Sequence, residues 1–322
     1  MKAAIVHGPD QTPVYGDFDD PVAGDGQHLV ELVGAGIHNV VRSRASGHHY
    51  SSDGTWPLIP GIDAVVRTGD GSLIYTATPS ARWGTMAERI AAPAGLAIPV
   101  PDAADPLAVA AGCNPGLASW LPLGKQRDRL ADAGGLGTVL VLGATGMAGR
   151  IAVAAALAMG ADHVVGVGRN ADILSSVAAR HGDRVRTVAL TGTDEDSATI
   201  GEACDGRAPT TVIDFLWGSV AERTFRALAP LAEDADVSHI EVGTMAGADA
   251  AVPGALLRSR RYTLSGSGLG SVDPADLIPA IGEFIDRIAD GTVEVPYRAF
   301  PLDRVGEAWT APGPERAVVV PG

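Results

Sequence analysis

The feature that most constrains the fold is a strand, a glycine-rich turn and a helix that follow one another near the middle of the chain. Residues 138–142 (TVLVL) form a continuous apolar run, as expected for a parallel strand that is covered on both faces. Three glycines follow, and their turn opens an alanine-rich helix over residues 147–159. Such a turn lets the backbone approach a pyrophosphate, and the helix N-terminus provides N–H groups for it. The residues predicted to contact a dinucleotide here are Thr145, Gly146, Met147 and Ala148. The alternative is a tight turn that binds no nucleotide.

Strands and helices alternate from residue 138 onward, and this rhythm predicts a doubly wound parallel sheet. The predicted strands are 138–142, 163–167, 185–190, 211–215, 239–242 and 262–265, and the predicted helices are 147–159, 173–180, 219–231 and 253–258.

The first hundred residues instead read as mostly β, with short strands at 2–7, 28–37, 73–78 and 86–92 separated by turn sequences. A helix is predicted to begin near residue 105, and Pro115 is expected to break or restart it. Near the C-terminus the pattern predicts a helix over 274–289, and two strands flanking a short helix over 297–320.

The end of the second predicted strand of the parallel sheet bears on cofactor choice. An NAD site usually carries an acid at this position, to bind the ribose 2′-hydroxyl. The chain instead reads Gly168, Arg169 and Asn170, and a guanidinium is suited to a 2′-phosphate. These three residues are therefore predicted to contact the cofactor, and NADPH is favoured over NADH. The alternative for Arg169 is a solvent-exposed side chain without a ligand.

Composition excludes several classes of protein. The length of 322 residues suggests two domains, and the formal net charge of −14 argues against a nucleic-acid partner. The longest apolar stretch, 151–168, is interrupted by polar residues, and no signal peptide is recognised, so no membrane association is expected. Cys113 and Cys204 are the two cysteines, too few for a disulfide framework or a four-cysteine zinc site. A reducing, cytoplasmic location is therefore expected.

Several loose motifs, in a shared order along nearly the full length, give the chain a family resemblance. It resembles the zinc-free quinone oxidoreductase branch of the medium-chain dehydrogenase/reductase superfamily. The matching stretches are GAGIHN at 34–39, PLIPGID at 57–63, GTMAE at 84–88, NPGLASW at 114–120, DFLWG at 214–218, VGT at 242–244 and SGSG at 265–268.

The resemblance implies an α/β fold with a GroES-like, β-rich catalytic domain (1–110), a Rossmann domain that binds NADPH (111–265) and a return segment (266–322) that completes the catalytic domain. It places the active site in the cleft between the domains, and it implies a homodimer paired through the strand at 262–265. It also implies further contacts to the cofactor, near the nicotinamide, from Phe215, Leu216, Val242, Gly243, Thr244, Ser267 and Gly268.

The zinc-dependent branch of the superfamily can be compared at its ligand positions. The first ligand cysteine of that branch would fall near residues 37–39, the histidine is Ile62 here, and the third ligand falls near Asn114. None of these positions carries a cysteine, so no metal site is expected.

A zinc-free reductase of this type moves a hydride from NADPH to a quinone or another activated carbonyl or alkene. The candidate catalytic residues are Asn39, Tyr50 and Asn114. Asn39 or Asn114 would donate a hydrogen bond to the substrate oxygen or the cofactor carboxamide, and Tyr50 would either donate its phenolic proton or only line the pocket. Two alternatives stay open: an enoyl or enone reductase of a biosynthetic pathway, and a non-catalytic NADPH-binding sensor.

Overall fold

A computed structural model describes residues 1–49, 51–78, 80–233 and 235–322 of the chain. The strands are β1 (Lys2–Ile5), β2 (Val14–Asp17), β3 (Gln27–Gly36), β4 (Asp63–Arg67), β5 (Leu73–Ala77), β6 (Arg89–Pro93), β7 (Ile98–Pro99), β8 (Thr138–Leu142), β9 (His163–Gly168), β10 (Val185–Ala189), β11 (Thr211–Asp214), β12 (Asp236–Glu241), β13 (Arg261–Gly266), β14 (Tyr297–Pro301) and β15 (Arg316–Val320). The α-helices are α1 (Asn39–Ala45), α2 (Pro106–Arg129), α3 (Met147–Ala158), α4 (Ala171–His181), α5 (Glu195–Ala203), α6 (Gly218–Leu228), α7 (Gly254–Ser259), α8 (Pro274–Ala289) and α9 (Val305–Thr310).

The chain divides into two compact units. The first comprises Met1–Pro115 and Ile278–Gly322, and the second comprises Gly116–Leu277. We refer to them as the first unit and the second unit. The mixed α/β class and the β-rich first part that the sequence predicts are confirmed. The domain limits given above stay a prediction from the resemblance.

The first unit is built on a seven-stranded sheet with the order β14-β15-β3-β4-β5-β7, in which β6 also pairs with β3. The neighbours of β3 are antiparallel, whereas β14 and β15 are parallel. Its core is packed mainly from small and branched side chains. Fully or nearly fully buried members include Ala35, Ile37, Ile59, Val66 and Met86.

The second unit is a six-stranded parallel sheet with the order β10-β9-β8-β11-β12-β13. Because β8 is its first strand in the chain, this is the 3-2-1-4-5-6 order of a doubly wound nucleotide-binding sheet. All four residues of β11 and the last four of β8 are buried, as expected for central strands that are covered on both faces. The chain leaves β8 toward one side of the sheet and β11 toward the other, so a crevice is expected above their C-terminal ends.

The prediction that Pro115 breaks its helix is wrong. α2 runs without interruption from Pro106 to Arg129. A proline inside a helix costs about 3 kcal/mol, because it lacks an N–H and crowds the preceding turn. Apolar side chains on both sides of Pro115, among them Val109, Cys113 and Leu123, are fully buried. Their burial offsets that cost, since each large apolar side chain contributes roughly 1.5–3 kcal/mol.

The structure adds two helices that the sequence patterns did not predict, α1 and α5, and it moves the predicted strand at 86–92 to β6. Both helices are short, and each buries only two side chains. Such a short buried stripe leaves little periodicity to detect. Within the described part of the chain, no helix is long and apolar enough to cross a membrane.

Candidate active site

The glycine turn between β8 and α3 has the backbone shape that a pyrophosphate requires. Gly143 has a φ of +99°, a value that side chains disfavour, and its N–H donates to the Val167 carbonyl at 2.8 Å. A Cβ atom on Gly149 would collide with the backbone of Gly143. Because Gly149 has no side chain, the first turn of α3 packs directly on the turn that precedes it. Gly146 caps α3 without any side-chain hydrogen bond, which leaves the helix N-terminus open to a ligand.

These observations test whether the residues fit the cofactor that the resemblance implies. The turn provides backbone N–H groups and a helix N-terminus, and both suit an anionic diphosphate. The residues present therefore fit a nicotinamide dinucleotide. When bound there, such a cofactor would supply the hydride of an oxidoreductase.

The other predicted cofactor residues of the second unit lie beyond the C-terminal ends of neighbouring parallel strands. The structure therefore brings together residues that are more than a hundred positions apart in the sequence. They follow β8 (Thr145, Gly146, Met147, Ala148), end or follow β9 (Gly168, Arg169, Asn170), follow β11 (Phe215, Leu216), follow β12 (Val242, Gly243, Thr244) and follow β13 (Ser267, Gly268).

Arg169 and Asn170 differ in what they bind within the protein. The Asn170 side-chain oxygen accepts a hydrogen bond from the Ile173 N–H at 3.0 Å, which caps α4. Arg169 is exposed, and no hydrogen bond or ion pair of its guanidinium is found within the described part of the chain. The end of β9 therefore combines a fixed turn with an arginine whose donors face solvent.

Asp214, the last residue of β11, connects the loops after β11 and β12. Its backbone carbonyl accepts from the N–H groups of Val242 at 2.7 Å and Gly243 at 3.2 Å. Its Oδ1 accepts from the N–H groups of Leu216 at 2.8 Å and Trp217 at 2.9 Å. Among the predicted nicotinamide-facing residues, Leu216, Val242 and Gly243 are thus held by hydrogen bonds to one buried residue.

Two further polar side chains, which sequence reasoning did not include in the site, continue from Asp214. His239 Nε2 lies 3.0 Å from Asp214 Oδ2, and His239 Nδ1 lies 2.7 Å from the Tyr262 hydroxyl. The sequence carries no distinct signal for them, because β12 (DVSHIE) and β13 (RYTLSG) contain several other polar residues. Burial, together with the negative charge of Asp214, raises the pKa of the Tyr262 hydroxyl, so that group keeps its proton.

The candidate catalytic residues lie in the first unit where they are described. Asn39 is the exposed first residue of α1, and Asn114 is half-buried within α2. Tyr50 lies outside the described residues. Among the described residues, no group of three or more histidine, cysteine, aspartate or glutamate side chains could hold a metal ion. Zinc independence stays a prediction.

Comparisons with known proteins extend this description. No family model matches the chain. The chain is 28% identical, over 350 aligned positions that cover 96% of each protein, to a curated "probable NADPH-dependent quinone reductase" of Emericella nidulans. The quinone oxidoreductase of Thermus thermophilus, solved alone and with NADPH, superposes with a TM-score of 0.77 at 22% identity, over 99% of this chain and all of that one. A mycobacterial quinone oxidoreductase superposes with a TM-score of 0.80 at 20% identity, over all of both chains.

These similarities span the whole chain, whereas each sequence motif covers only a few residues. They confirm the predicted resemblance to quinone oxidoreductases and the predicted combination of a GroES-like domain with a Rossmann domain. The chain is an oxidoreductase with the medium-chain dehydrogenase/reductase fold, similar over its full length to quinone reductases.

Proposed function

We propose that this oxidoreductase uses NADPH, without zinc, to transfer a hydride to a quinone or to another activated carbonyl or alkene. The observation that carries the proposal is the geometry of the glycine turn at the C-terminal end of β8, where Gly149 packs against the backbone of Gly143. The full-length similarity to a quinone reductase of Emericella nidulans supports the acceptor class.

In this proposal each group of residues has one task. The turn at 143–148 binds the diphosphate through backbone N–H groups and the N-terminus of α3. Arg169 pairs with the 2′-phosphate as a planar, permanently charged donor. The loops after β11, β12 and β13 orient the nicotinamide end. Asn39, Tyr50 and Asn114 are proposed to donate hydrogen bonds to the substrate oxygen, where negative charge develops.

No strong general acid is required for this reaction class, because water or a polar side chain can protonate the oxyanion that a quinone or enone forms after it accepts a hydride. The proposed pocket therefore requires hydrogen-bond donors and apolar side chains, and it does not require a strong general acid or base.

The test is oxidation of NADPH, with NADH in parallel, against a panel of simple quinones and of α,β-unsaturated ketones. We expect turnover with quinones that is faster with NADPH than with NADH. Turnover with enones alone would move the protein to the biosynthetic alternative, and tight binding without any turnover would favour a sensor. Failure to bind either nucleotide would overturn the proposal.

We further propose that the protein is a cytoplasmic homodimer. β13 is the outer strand of the six-stranded sheet, and an unpaired sheet edge of this kind is usually covered. Both cysteines are buried and free of disulfides, which suits a reducing compartment. Light scattering after size-exclusion chromatography would give the oligomeric state, and a monomer at micromolar concentration would overturn the dimer.

A further inference from the structure

Three buried side chains on neighbouring strands of the second unit form one continuous hydrogen-bonded chain. Asp214 and His239 are fully buried, and Tyr262 is 5% exposed. In the sheet register Asp214 pairs with Glu241, and His239 pairs with Leu264. Each polar contact is therefore a diagonal one, and the chain slants across β11, β12 and β13 on one face of the sheet.

The donor and the acceptor in each hydrogen bond of these three side chains can be assigned from Asp214 at one end and Tyr262 at the other. Asp214 accepts two backbone N–H groups on Oδ1, as expected of a carboxylate. Its Oδ2 therefore accepts from His239, which assigns the hydrogen of the imidazole to Nε2. The bare Nδ1 then accepts the hydroxyl hydrogen of Tyr262. In this arrangement the imidazole N–H and the Tyr262 O–H each have an acceptor.

At its Asp214 end, the hydrogen-bonded chain of side chains contacts a strained stretch of backbone. Trp217 has a φ of +52° and is followed by Gly218 at +55°. A tryptophan rarely adopts this conformation, and it persists only where surrounding contacts enforce it. The Trp217 N–H is held by Asp214 Oδ1, and the Leu216 carbonyl accepts from Ala246 in the loop after β12. A hydrogen bond thus links the loop after β11 to the loop after β12.

Packing alone does not explain the histidine. The ring of His239 lies among Phe225, Trp217 and Tyr262, with centroid separations of 5.1, 6.2 and 6.0 Å. An apolar side chain would fill such a place without the desolvation cost of a polar group. A buried polar network that is fully satisfied instead fixes one arrangement of the groups it joins.

We propose that His239 and Tyr262 are positioning residues, which hold the segment Phe215–Trp217 through Asp214 in the conformation that receives the nicotinamide end of the cofactor. This inference rests on the proposed function. Neither side chain need touch the cofactor. Tyr262 orients the ring of His239, His239 orients the carboxylate, and the carboxylate orients the loop.

Three variants test the chain link by link. Tyr262→Phe removes the hydroxyl that fixes the imidazole. His239→Leu removes the donor to Asp214, whereas His239→Gln retains a side-chain amide that can donate to the same oxygen. Tyr75→Phe is the matched control, because the Tyr75 hydroxyl also donates to a buried aspartate, Asp63, at 3.0 Å, but in the first unit.

Two readouts separate positioning from general stability. The first is hydrogen exchange of the Leu216 and Trp217 amides in the protein without cofactor, measured by NMR. The second is the dissociation constant for NADPH, with KM and kcat measured alongside. Because each lost link leaves a buried polar group unpaired, we expect Tyr262→Phe and His239→Leu to accelerate exchange of both amides and to raise the dissociation constant by about tenfold. His239→Gln should keep the exchange rates and the dissociation constant close to those of the unmodified protein. Tyr75→Phe should change neither quantity.

The results that overturn the inference are specific. A loss of thermal stability with unchanged exchange at Leu216 and Trp217 would make the chain a packing feature only. Faster exchange with an unchanged NADPH dissociation constant would show that the loop is held but that its conformation does not serve binding. If the unmodified protein bound no nicotinamide cofactor, the proposed function would fail by itself, and the amide exchange would still decide whether His239 holds the loop.

Discussion

Gly168, the last residue of β9, lies so close to Thr145 of the glycine turn that a Cβ atom at position 168 would fall 2.5 Å from the Thr145 Cγ2 atom. The end of β9 and the glycine turn therefore meet with only the Thr145 side chain between them. The contact places the end of β9, which Arg169 follows directly, beside the turn proposed to hold the diphosphate.

Replacing Gly168 with alanine is expected to weaken NADPH binding. The added methyl group would displace Thr145 and the turn, and overpacking of this kind typically costs about 1–3 kcal/mol. If most of that cost falls on the bound state, the NADPH dissociation constant rises about tenfold, as isothermal titration calorimetry would show. Gly282→Ala is the control, because a Cβ on Gly282, within α8, meets nothing within 4 Å. Equal affinities in the two variants would contradict the proposed role of the turn.

Removing the guanidinium of Arg169 is expected to change cofactor preference. In Arg169→Gln the 2′-phosphate of NADPH loses a charged partner, and a charge-assisted hydrogen bond contributes about 1.5–3 kcal/mol. KM for NADPH should therefore rise about tenfold or more, while KM for NADH should stay within about twofold. Arg186→Gln removes another exposed arginine of the same unit, one that pairs with Asp205 at 3.2 Å, and should leave both values unchanged. A parallel loss for NADH and NADPH would assign Arg169 a role other than recognition of the phosphate.

Chelation is expected to leave activity intact. Sequence positions 37–39, 62 and 114 carry none of the cysteines of the zinc-dependent branch, and position 62 is an isoleucine where that branch has its histidine. Protein dialysed against a strong chelator should oxidise NADPH at the rate of untreated protein, with less than one zinc per ten chains by elemental analysis (about a background level). Loss of activity that zinc alone restores would contradict zinc independence.

The strands and the glycine turn were predictable because their signals are local. A parallel strand buried on both faces, such as β8, must be apolar throughout, and the shape of the turn depends on glycines at fixed spacing. Pro115 shows the opposite case. Its local propensity predicts a break, but burial along α2 decides the outcome, and burial depends on partners that the pattern of one segment does not reveal.

The Asp214–His239–Tyr262 chain was beyond sequence reasoning for a different reason. Each residue stands in a strand that holds other polar residues, so the pattern of one strand does not single it out. Their contact depends on strand order and on a diagonal register across β11, β12 and β13. A shift of one residue in either pairing would turn a side chain to the other face, and no motif records that register.

The stability of the loop between β10 and α5 is expected to depend on the negative charge of Asp196. This carboxylate is 2% exposed, and it accepts from the N–H groups of Thr191 at 2.8 Å and Gly192 at 3.1 Å. Burial alone would raise the pKa of Asp196, but these hydrogen bonds and the positive charge of Arg223 lower it below its usual value. Since the folded pKa is lowered, the stabilisation is present at pH values above the unfolded pKa and is lost as pH falls through the folded pKa.

Asp196→Asn should therefore lower the free energy of unfolding by about 2 kcal/mol at pH 7, because an amide places a donor against N–H donors. The difference from the unmodified protein should shrink as pH falls below the usual range of an aspartate, in urea titrations followed by circular dichroism. Asp70→Asn is the control, since Asp70 accepts similar bonds in an exposed turn and should cost less than about 1 kcal/mol. A gap between Asp196→Asn and the unmodified protein that is constant with pH would contradict the role of the charge.

Both cysteines are expected to be unreactive in the folded protein. Cys113 is fully buried, and burial together with the charge of Asp63 raises the pKa of its thiol well above the usual value. Burial also raises the pKa of Cys204 to about 11, although the positive charge of Arg186 opposes the shift. Because the thiolate is the reactive form, a thiol-reactive disulfide reagent at pH 8 should detect almost no thiol in the native protein and both thiols after denaturation. Rapid reaction of either cysteine in the native protein would show that its surroundings open in solution, and Cys113→Ser and Cys204→Ser would identify which one reacts.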